Sequence, residues 1–273
     1  MSAANRPIGV FDSGVGGLSV LRALRAELPQ EQFVYVADSG NAPYGERDDD
    51  HVTTRSHAIT DYLLGQHQIK ALVVACNTAT AAAIKTLRAA YPAIPLVGIE
   101  PALKPAAAAS LTKTVGVMAT RGTLQSEKFQ ALLASLHGQA TFMLQPCDGL
   151  AIAIERNDAT KIEALCAEYT RAMGQFGSNE EAMDTLVLGC THYPFVESEL
   201  RRTIGPHVTL LEGGAPVARQ TKRLLEATGL LAHPNAEAKQ APTQFFTTGQ
   251  VEDLEQAAAR WLKLNISARA LGV

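Results

Sequence analysis

The chain has 273 residues, 47% of them hydrophobic and 19% charged, an ordinary globular composition with room for one large domain or two smaller ones. A net charge of −3 and an aromatic content of 5% leave no general electrostatic pull toward nucleic acid or an anionic membrane, and little surface for stacking bases. No run approaches the roughly 18 apolar residues of a membrane-spanning helix; "MSAANRPIGVFDSG" shows no leader pattern, and none of the four cysteines, Cys76, Cys147, Cys166 and Cys190, forms a C-x-x-C pair, so free thiols in a cytoplasmic protein are expected.

Short apolar runs alternate with helical patterns, the signature of an α/β protein with mostly parallel strands. The first predicted strand, "IGVFDS" (8–13), enters the glycine-rich turn "FDSGVGG" (11–17). Gly14, Gly16 and Gly17 allow close backbone approach. Position 19 is Ser, so G-x-G-x-x-G is incomplete, and no Gly-Lys-Ser/Thr follows as in a P-loop. A carboxylate at Asp12 would repel phosphate; it suits an ammonium group or a proton relay. The following helix carries Leu18, Leu21, Leu24 and Leu28 on one face and is closed by Pro29.

A second strand, "QFVYVAD" (32–38), leads into "DSGNAPYGER" (38–47), a surface turn centred on Pro43, Tyr44 and Gly45 and able to cover a cleft. The third strand, "KALVVAC" (70–76), ends in Cys76. Asn77, Thr78 and Thr80 then enter a helix running to about Ala90. Unpaired N–H groups at a helix N-terminus favour a thiolate there. A free thiol, with a pKa of about 8.5, is only a few per cent ionised near neutrality, so such help matters.

Further strands are expected at 95–100, 114–120, 140–147, 184–190, 208–213 and 243–249, the last followed by a helix through Trp261. A helix at 158–176 starts from an Asp158 cap and aligns Ile162, Leu165, Tyr169 and Met173, with Cys166 as a packed small residue. The strand "DTLVLGC" (184–190) repeats the earlier design: it ends in Cys190, with "THYP" behind it. His192 is close enough to that thiol to act as acid or base, or to stabilise a thiolate.

The halves resemble one another. "IGVFDSGVGGL" parallels "VGVMATRGTL", "ALVVACNTA" parallels "TLVLGCTHY", and "PLVGIE" parallels "VTLLEG". Two similar α/β lobes related by a pseudo-two-fold are expected, one made of 1–99 with 213–273 and the other of 100–212. Ligands of parallel sheets sit outside the carboxyl ends of the strands. Cys76 and Cys190 occupy matching strand ends, so they are expected to face each other across an active-site cleft between the lobes. Cys76, Cys190 and His192 are also conceivable zinc ligands, but Cys-x-His is not a familiar zinc spacing and Cys76 has no close partner. His51 and His57, six apart, do not lie side by side on a helix. No metal is expected.

Six ordered motifs, "GVFDSGVGGLSV", "YVADSGNAPYGER", "ALVVACNTATA", "VGIEPALKPA", "VGVMATRGTL" and "LVLGCTHYP", resemble those of the glutamate racemases in the aspartate/glutamate racemase superfamily. The resemblance runs from about Ile8 to the tail. It implies cofactor-independent interconversion of L- and D-glutamate, supplying D-glutamate for peptidoglycan and so for cell shape. It implies Cys76 and Cys190 as the acid/base pair, and substrate contacts at Asp12, Ser13, Tyr44, Gly45, Asn77, Thr78, Thr191 and His192. Asp12 and His192 match residues that assist proton transfer. Glu155 matches a glutamate in a similar role, and Thr120 and Thr123 are lesser pocket candidates. A homodimer is usual in the family; neither nucleic acid nor a membrane is an implied partner. One departure stands at Glu212-Gly213-Gly214, where many members read Asp-Ser-Ala or similar.

Three other readings compete. An aspartate racemase differs by one methylene of substrate. A two-lobe amino-acid binding protein would need no pair of thiols. A redox protein or thiol hydrolase would want C-x-x-C or a Cys–His–Asn set, and neither is evident.

Overall fold

The computed structural model describes residues 3–232 and 241–273. In chain order it begins with β1 (Ile8–Asp12), α1 (Leu18–Glu27), β2 (Phe33–Ala37), α2 (Asp49–His67), β3 (Ala71–Val74), α3 (Asn77–Ala90) and β4 (Leu96–Gly98). Next come α4 (Leu103–Ala109), β5 (Thr114–Ala119), α5 (Arg121–Gln125), α6 (Glu127–Ala134), β6 (Thr141–Pro146), α7 (Leu150–Glu155) and α8 (Ala159–Met173). They are followed by β7 (Thr185–Leu188), α9 (Glu197–Ile204), β8 (Thr209–Leu211), α10 (Gly214–Ala227), β9 (Thr243–Thr247), α11 (Val251–Leu262) and β10 (Ala268–Ala270). The chain forms two compact units, Met1–Ile99 with Gly214–Val273, and Glu100–Gly213. Among the described residues no helix is long and apolar enough to cross a membrane.

The first unit holds a six-stranded parallel sheet in the order β10-β9-β2-β1-β3-β4. β1, β2 and β3 are buried at every position. Parallel strands covered on both faces read as unbroken apolar runs rather than alternating ones, which is why these segments stand out in the sequence. Phe11, Val34, Val36, Leu72 and Val74 pack on Ile59 and Leu63 of α2 and on Ala83 and Leu87 of α3. Leu18, Leu21 and Leu24 of α1, and Leu28 that caps it, are all buried. Each such leucine contributes about 1.5–3 kcal/mol relative to exposure.

The second unit holds a four-stranded parallel sheet in the order β6-β5-β7-β8. This is the order β2-β1-β3-β4 of the first sheet again, so the repeated sequence segments take equivalent places. Its core joins Val115, Val117 and Val187 to Leu103 and Ala106 of α4 and Phe129 of α6. The edge strand β6 leaves Met143 41% and Leu144 36% exposed.

Two local expectations change. The helix expected to reach 176 stops at Met173, because Gly174 turns out at φ 109°. Its buried stripe runs through Ile162, Cys166, Thr170 and Met173, while Leu165 and Tyr169 are half-buried. The Tyr169 hydroxyl instead donates to the carbonyl of Asp148 at 2.6 Å. β10 has no counterpart among the expected strands; its sequence is Ala-Arg-Ala, and it forms by pairing with β9.

Candidate active site

In the first unit β1 and β3 are neighbours in parallel register, with Phe11 opposite Val74, so their carboxyl ends emerge together. Asp12 closes β1 and is fully buried. Its Oδ1 accepts from the Ser13 N–H at 2.7 Å and the Ser13 hydroxyl at 3.2 Å, and its Oδ2 accepts from the Gly17 N–H. A Cβ on Gly17 would lie 2.6 Å from the Asp12 Cβ and 2.9 Å from the Tyr35 phenol oxygen, so the turn admits only glycine there. Tyr35 donates to the Gly14 carbonyl at 2.8 Å and pins the same turn.

Cys76 caps α3: the Ala79 N–H donates to its sulfur at 3.4 Å, and the Ser13 hydroxyl oxygen stands 3.7 Å from that sulfur. The helix N-terminus is therefore present as the sequence implied, but it does not decide the protonation state. Burial, and then the charge of Asp12, push the Cys76 thiol well above its ordinary range; the bonds from Ala79 and Ser13 pull the other way and are outweighed. Asn77 and Thr78 follow, both buried. The Asn77 Oδ1 is buried with no hydrogen-bond partner among the described residues, which suits a bound ammonium or amide donor.

Tyr44 and Gly45 lie in the 3-10 turn Tyr44–Glu46 after β2. A surface turn is only part of the description: Tyr44 is 1% exposed, Gly45 is half-buried and Glu46 is exposed. The Tyr44 phenol donates to Asp38 at 2.5 Å. Asp38 opens this loop; Arg55 and Thr248, which meet it and hold the turn, escaped sequence reading because they come from distant segments.

In the second unit β5 and β7 are neighbours, with Met118 opposite Leu188. Cys190 lies two residues beyond the end of β7 at Leu188, the offset that Cys76 has from Val74 at the end of β3. A Cβ on Gly189 would meet the Met118 carbonyl at 2.9 Å, so the strand end is held tightly. Cys190, Thr191 and His192 are all buried. His192 Nδ1 is 3.6 Å from the Cys190 sulfur, and its Nε2 is 2.5 Å from Glu155 Oε1, at the end of α7. Burial alone would lower the His192 pKa, but hydrogen bonds to Cys190 and Glu155 and their charges outweigh it and hold the imidazole well above its usual range. An imidazolium so placed donates to the sulfur and to the carboxylate at once. Thr120 caps α5, its Oγ1 accepting from the Thr123 N–H at 3.2 Å and donating to the Thr123 hydroxyl at 2.9 Å.

The other two thiols differ in setting. Burial, then the charge of Cys190, raises Cys147, a neighbour that sequence reading assigned no role. Cys166, buried in α8, is pushed up to about 12 by burial. Among the described residues, His, Cys, Asp and Glu side chains form no group of three or more suited to holding a metal ion.

Each unit thus offers one buried thiol at the carboxyl end of a central strand. One has a carboxylate beside it and the other an imidazole that takes up a proton. Within the first unit Asp12, Ser13, Cys76, Asn77 and Thr78 come together, with Tyr44 in the same buried cluster as Cys76. Within the second, Cys190, Thr191, His192 and Glu155 do.

Residues 8–221 match the family model described as Asp/Glu/Hydantoin racemase. The glutamate racemase of Ectopseudomonas mendocina (strain ymp) is 48% identical over 259 residues, covering 93% of this chain and 94% of its own. The crystal structure of glutamate racemase isoform RacE1 from Bacillus anthracis gives a TM-score of 0.85 at 34% identity, with 98% of each chain covered. That of the glutamate racemase from Francisella tularensis subsp. tularensis SCHU S4, solved in complex with D-glutamate, gives 0.82 at 25% identity, covering 99% of this chain and 98% of that one.

Proposed function

Because the chain belongs to the Asp/Glu/hydantoin racemase family and is an amino-acid racemase, an isomerase, we propose that it interconverts L- and D-glutamate with Cys76 and Cys190 as the two acid/base groups and no cofactor. One observation carries the two-thiol reading: both cysteines stand two residues past equivalent strands, since the run β2-β1-β3-β4 of the first sheet has the order of β6-β5-β7-β8 in the second, and both are buried among polar groups.

Racemisation removes the α-proton from one face of the carbon and returns a proton to the other. A single base would have to move or release the intermediate; two avoid this. The thiolate of one cysteine takes the α-proton and becomes a thiol, leaving the electron pair on Cα and its carboxylate. The thiol of the other gives its proton to the opposite face and becomes the thiolate. The roles exchange when the substrate is the other enantiomer.

The carbanion beside a carboxylate is costly, so developing charge needs preorganised donors. The N–H groups following each cysteine, with Ser13, Asn77, Thr78 and Thr191, supply them. Asp12 suits the substrate ammonium and lies near enough to Cys76 to influence its proton. The His192–Glu155 pair delivers positive charge to Cys190. Tyr44 and Gly45 bound the substrate from the turn after β2.

The product supplies D-glutamate for peptidoglycan, in the cytoplasm, from a homodimer. L-Glutamate incubated in D₂O with the protein and no added cofactor is expected to lose its optical activity and gain one deuterium at Cα. Persistent optical activity sinks the assignment. Aspartate in the same assay addresses specificity, since one methylene is worth only about 1–3 kcal/mol of discrimination.

A further inference from the structure

Asp38 follows β2 directly and is fully buried, yet it gathers side-chain donors from several parts of the first unit. Tyr44 Oη donates at 2.5 Å, Arg55 Nε at 3.0 Å, Arg55 Nη2 at 2.9 Å, Thr248 Oγ1 at 2.7 Å and Asn41 Nδ2 at 3.0 Å. Arg55 stands on α2 and Thr248 follows β9. The Thr248 hydroxyl also accepts from the Gly40 N–H at 3.1 Å, which ties the end of β9 to the turn. Arg55 grips both carboxylate oxygens, and the side chains are 14% and 0% exposed. A two-pronged guanidinium–carboxylate pair this protected fixes geometry in a way a surface pair does not.

Tyr44 and Arg55 meet at the same carboxylate oxygen, Oδ2 of Asp38. Its ring belongs to the buried cluster that contains Val52, Cys76 and Ala79. Burial and the neighbouring Asp38 charge hold its phenol far above its ordinary range, so the hydroxyl stays protonated and remains committed to Asp38. It is therefore a poor candidate for donating a proton to substrate. Its contribution is a wall whose position is set by its bond to Asp38.

We propose that Arg55, acting through Asp38, is a positioning residue that sets the place of the Tyr44 ring and so of the Cys76 sulfur during proton transfer. This rests on the reading of Cys76 as an acid/base group. Proton transfer is steep in distance, and a 1 Å misplacement originating away from the reacting atoms costs about 10²-fold in rate. Arg55 acts by holding the carboxylate that holds the phenol.

The test measures racemisation of α-protiated and α-deuterated L- and D-glutamate by the native protein and by Arg55→Met, Arg55→Lys and Tyr44→Phe. Arg55→Met is expected to lower kcat/KM about tenfold, equally in both directions because the enantiomers are isoenergetic. The two isotope effects should part company. The effect should rise for the enantiomer that Cys76 deprotonates, where that step becomes more rate-limiting, and fall for the other. Tyr44→Phe should give the same pattern. Arg55→Met combined with Tyr44→Phe should cost no more than the worse single change. Arg55→Lys, which keeps the charge and loses the fork, should fall between. A purely structural role would reduce the amount of active protein and leave both isotope effects at their native values; that result, or native activity in Arg55→Met, overturns the proposal. Failure of the native protein to racemise glutamate would instead overturn the reading on which it rests.

Discussion

His192 and Glu155 form a pair, Nε2 to Oε1 at 2.5 Å, on the side of the imidazole away from Cys190. Burial works against the charged ring, and its partners outweigh burial, so the folded protein holds this proton more tightly than an exposed imidazole would. The pKa is raised, which fixes the sign. Stability from the pair is fully present below the unfolded value of about 6.5 and is lost as pH rises through the higher folded value. Glu155→Gln should move the alkaline limb of the pH–rate profile to lower pH, toward the ordinary histidine range. An unmoved limb would mean that the imidazolium is not what the profile reports.

Cys76→Ala and Cys190→Ala should each lower racemisation by at least the 10²–10⁴-fold typical of about one general acid or base. Both variants should keep native far-ultraviolet circular dichroism, since each removes only a small side chain. Retained racemisation in either would remove that thiol from the reaction.

Gly17→Ala tests the turn that holds Asp12. The new methyl group would lie 2.6 Å from the Asp12 Cβ, too close for either to stay. Relief by shifting the carboxylate should lower kcat/KM by about tenfold or more, while overpacking costs about 1–3 kcal/mol of stability in denaturant unfolding. Native kinetics would mean that Asp12 tolerates displacement.

Asp184 gathers the loop before β5. It accepts from the Ser110 hydroxyl at 2.6 Å, the Leu111 N–H at 2.6 Å, the Thr112 N–H at 3.1 Å and the Thr185 hydroxyl at 2.9 Å. Partial burial raises its pKa, but these hydrogen bonds outweigh it and leave the carboxyl below its ordinary range. Its contribution to stability is therefore present above the unfolded value of about 3.9 and fades as pH falls through the lower folded value. Asp184→Asn should cost about 1 kcal/mol near neutral pH, allowing for its partial exposure, with a smaller difference in acid.

The strands were legible because parallel strands buried on both faces write themselves as continuous apolar runs, and α1 because four leucines share one face. β10 was not, since Ala-Arg-Ala carries no such run and becomes a strand only through its neighbour β9. On α8 Ile162 and Met173 are buried as their spacing predicts, and so is Cys166 as a small packed residue; Thr170 replaces Tyr169 in the stripe because the amphipathic Tyr169 turns its hydroxyl toward Asp148. The positions of Cys76 and Cys190 at strand ends could be read in the linear chain. What surrounds each sulfur could not, because a helix N-terminus is visible in sequence and the burial that outweighs it at Cys76 is not. Arg55 and Thr248 were invisible for a related reason: they meet Asp38 from 17 and 210 residues away.

The pairing of β9 with β2 has a temporal consequence. Thr248 reaches its carboxylate across 210 residues, so during synthesis at about 5–20 residues per second Asp38 leaves the ribosome about 10–40 s before the hydroxyl it will bind. Until then one flank of β2 has no partner strand, and a nascent chain halted before residue 243 would carry every thiol yet leave that border of its first sheet open.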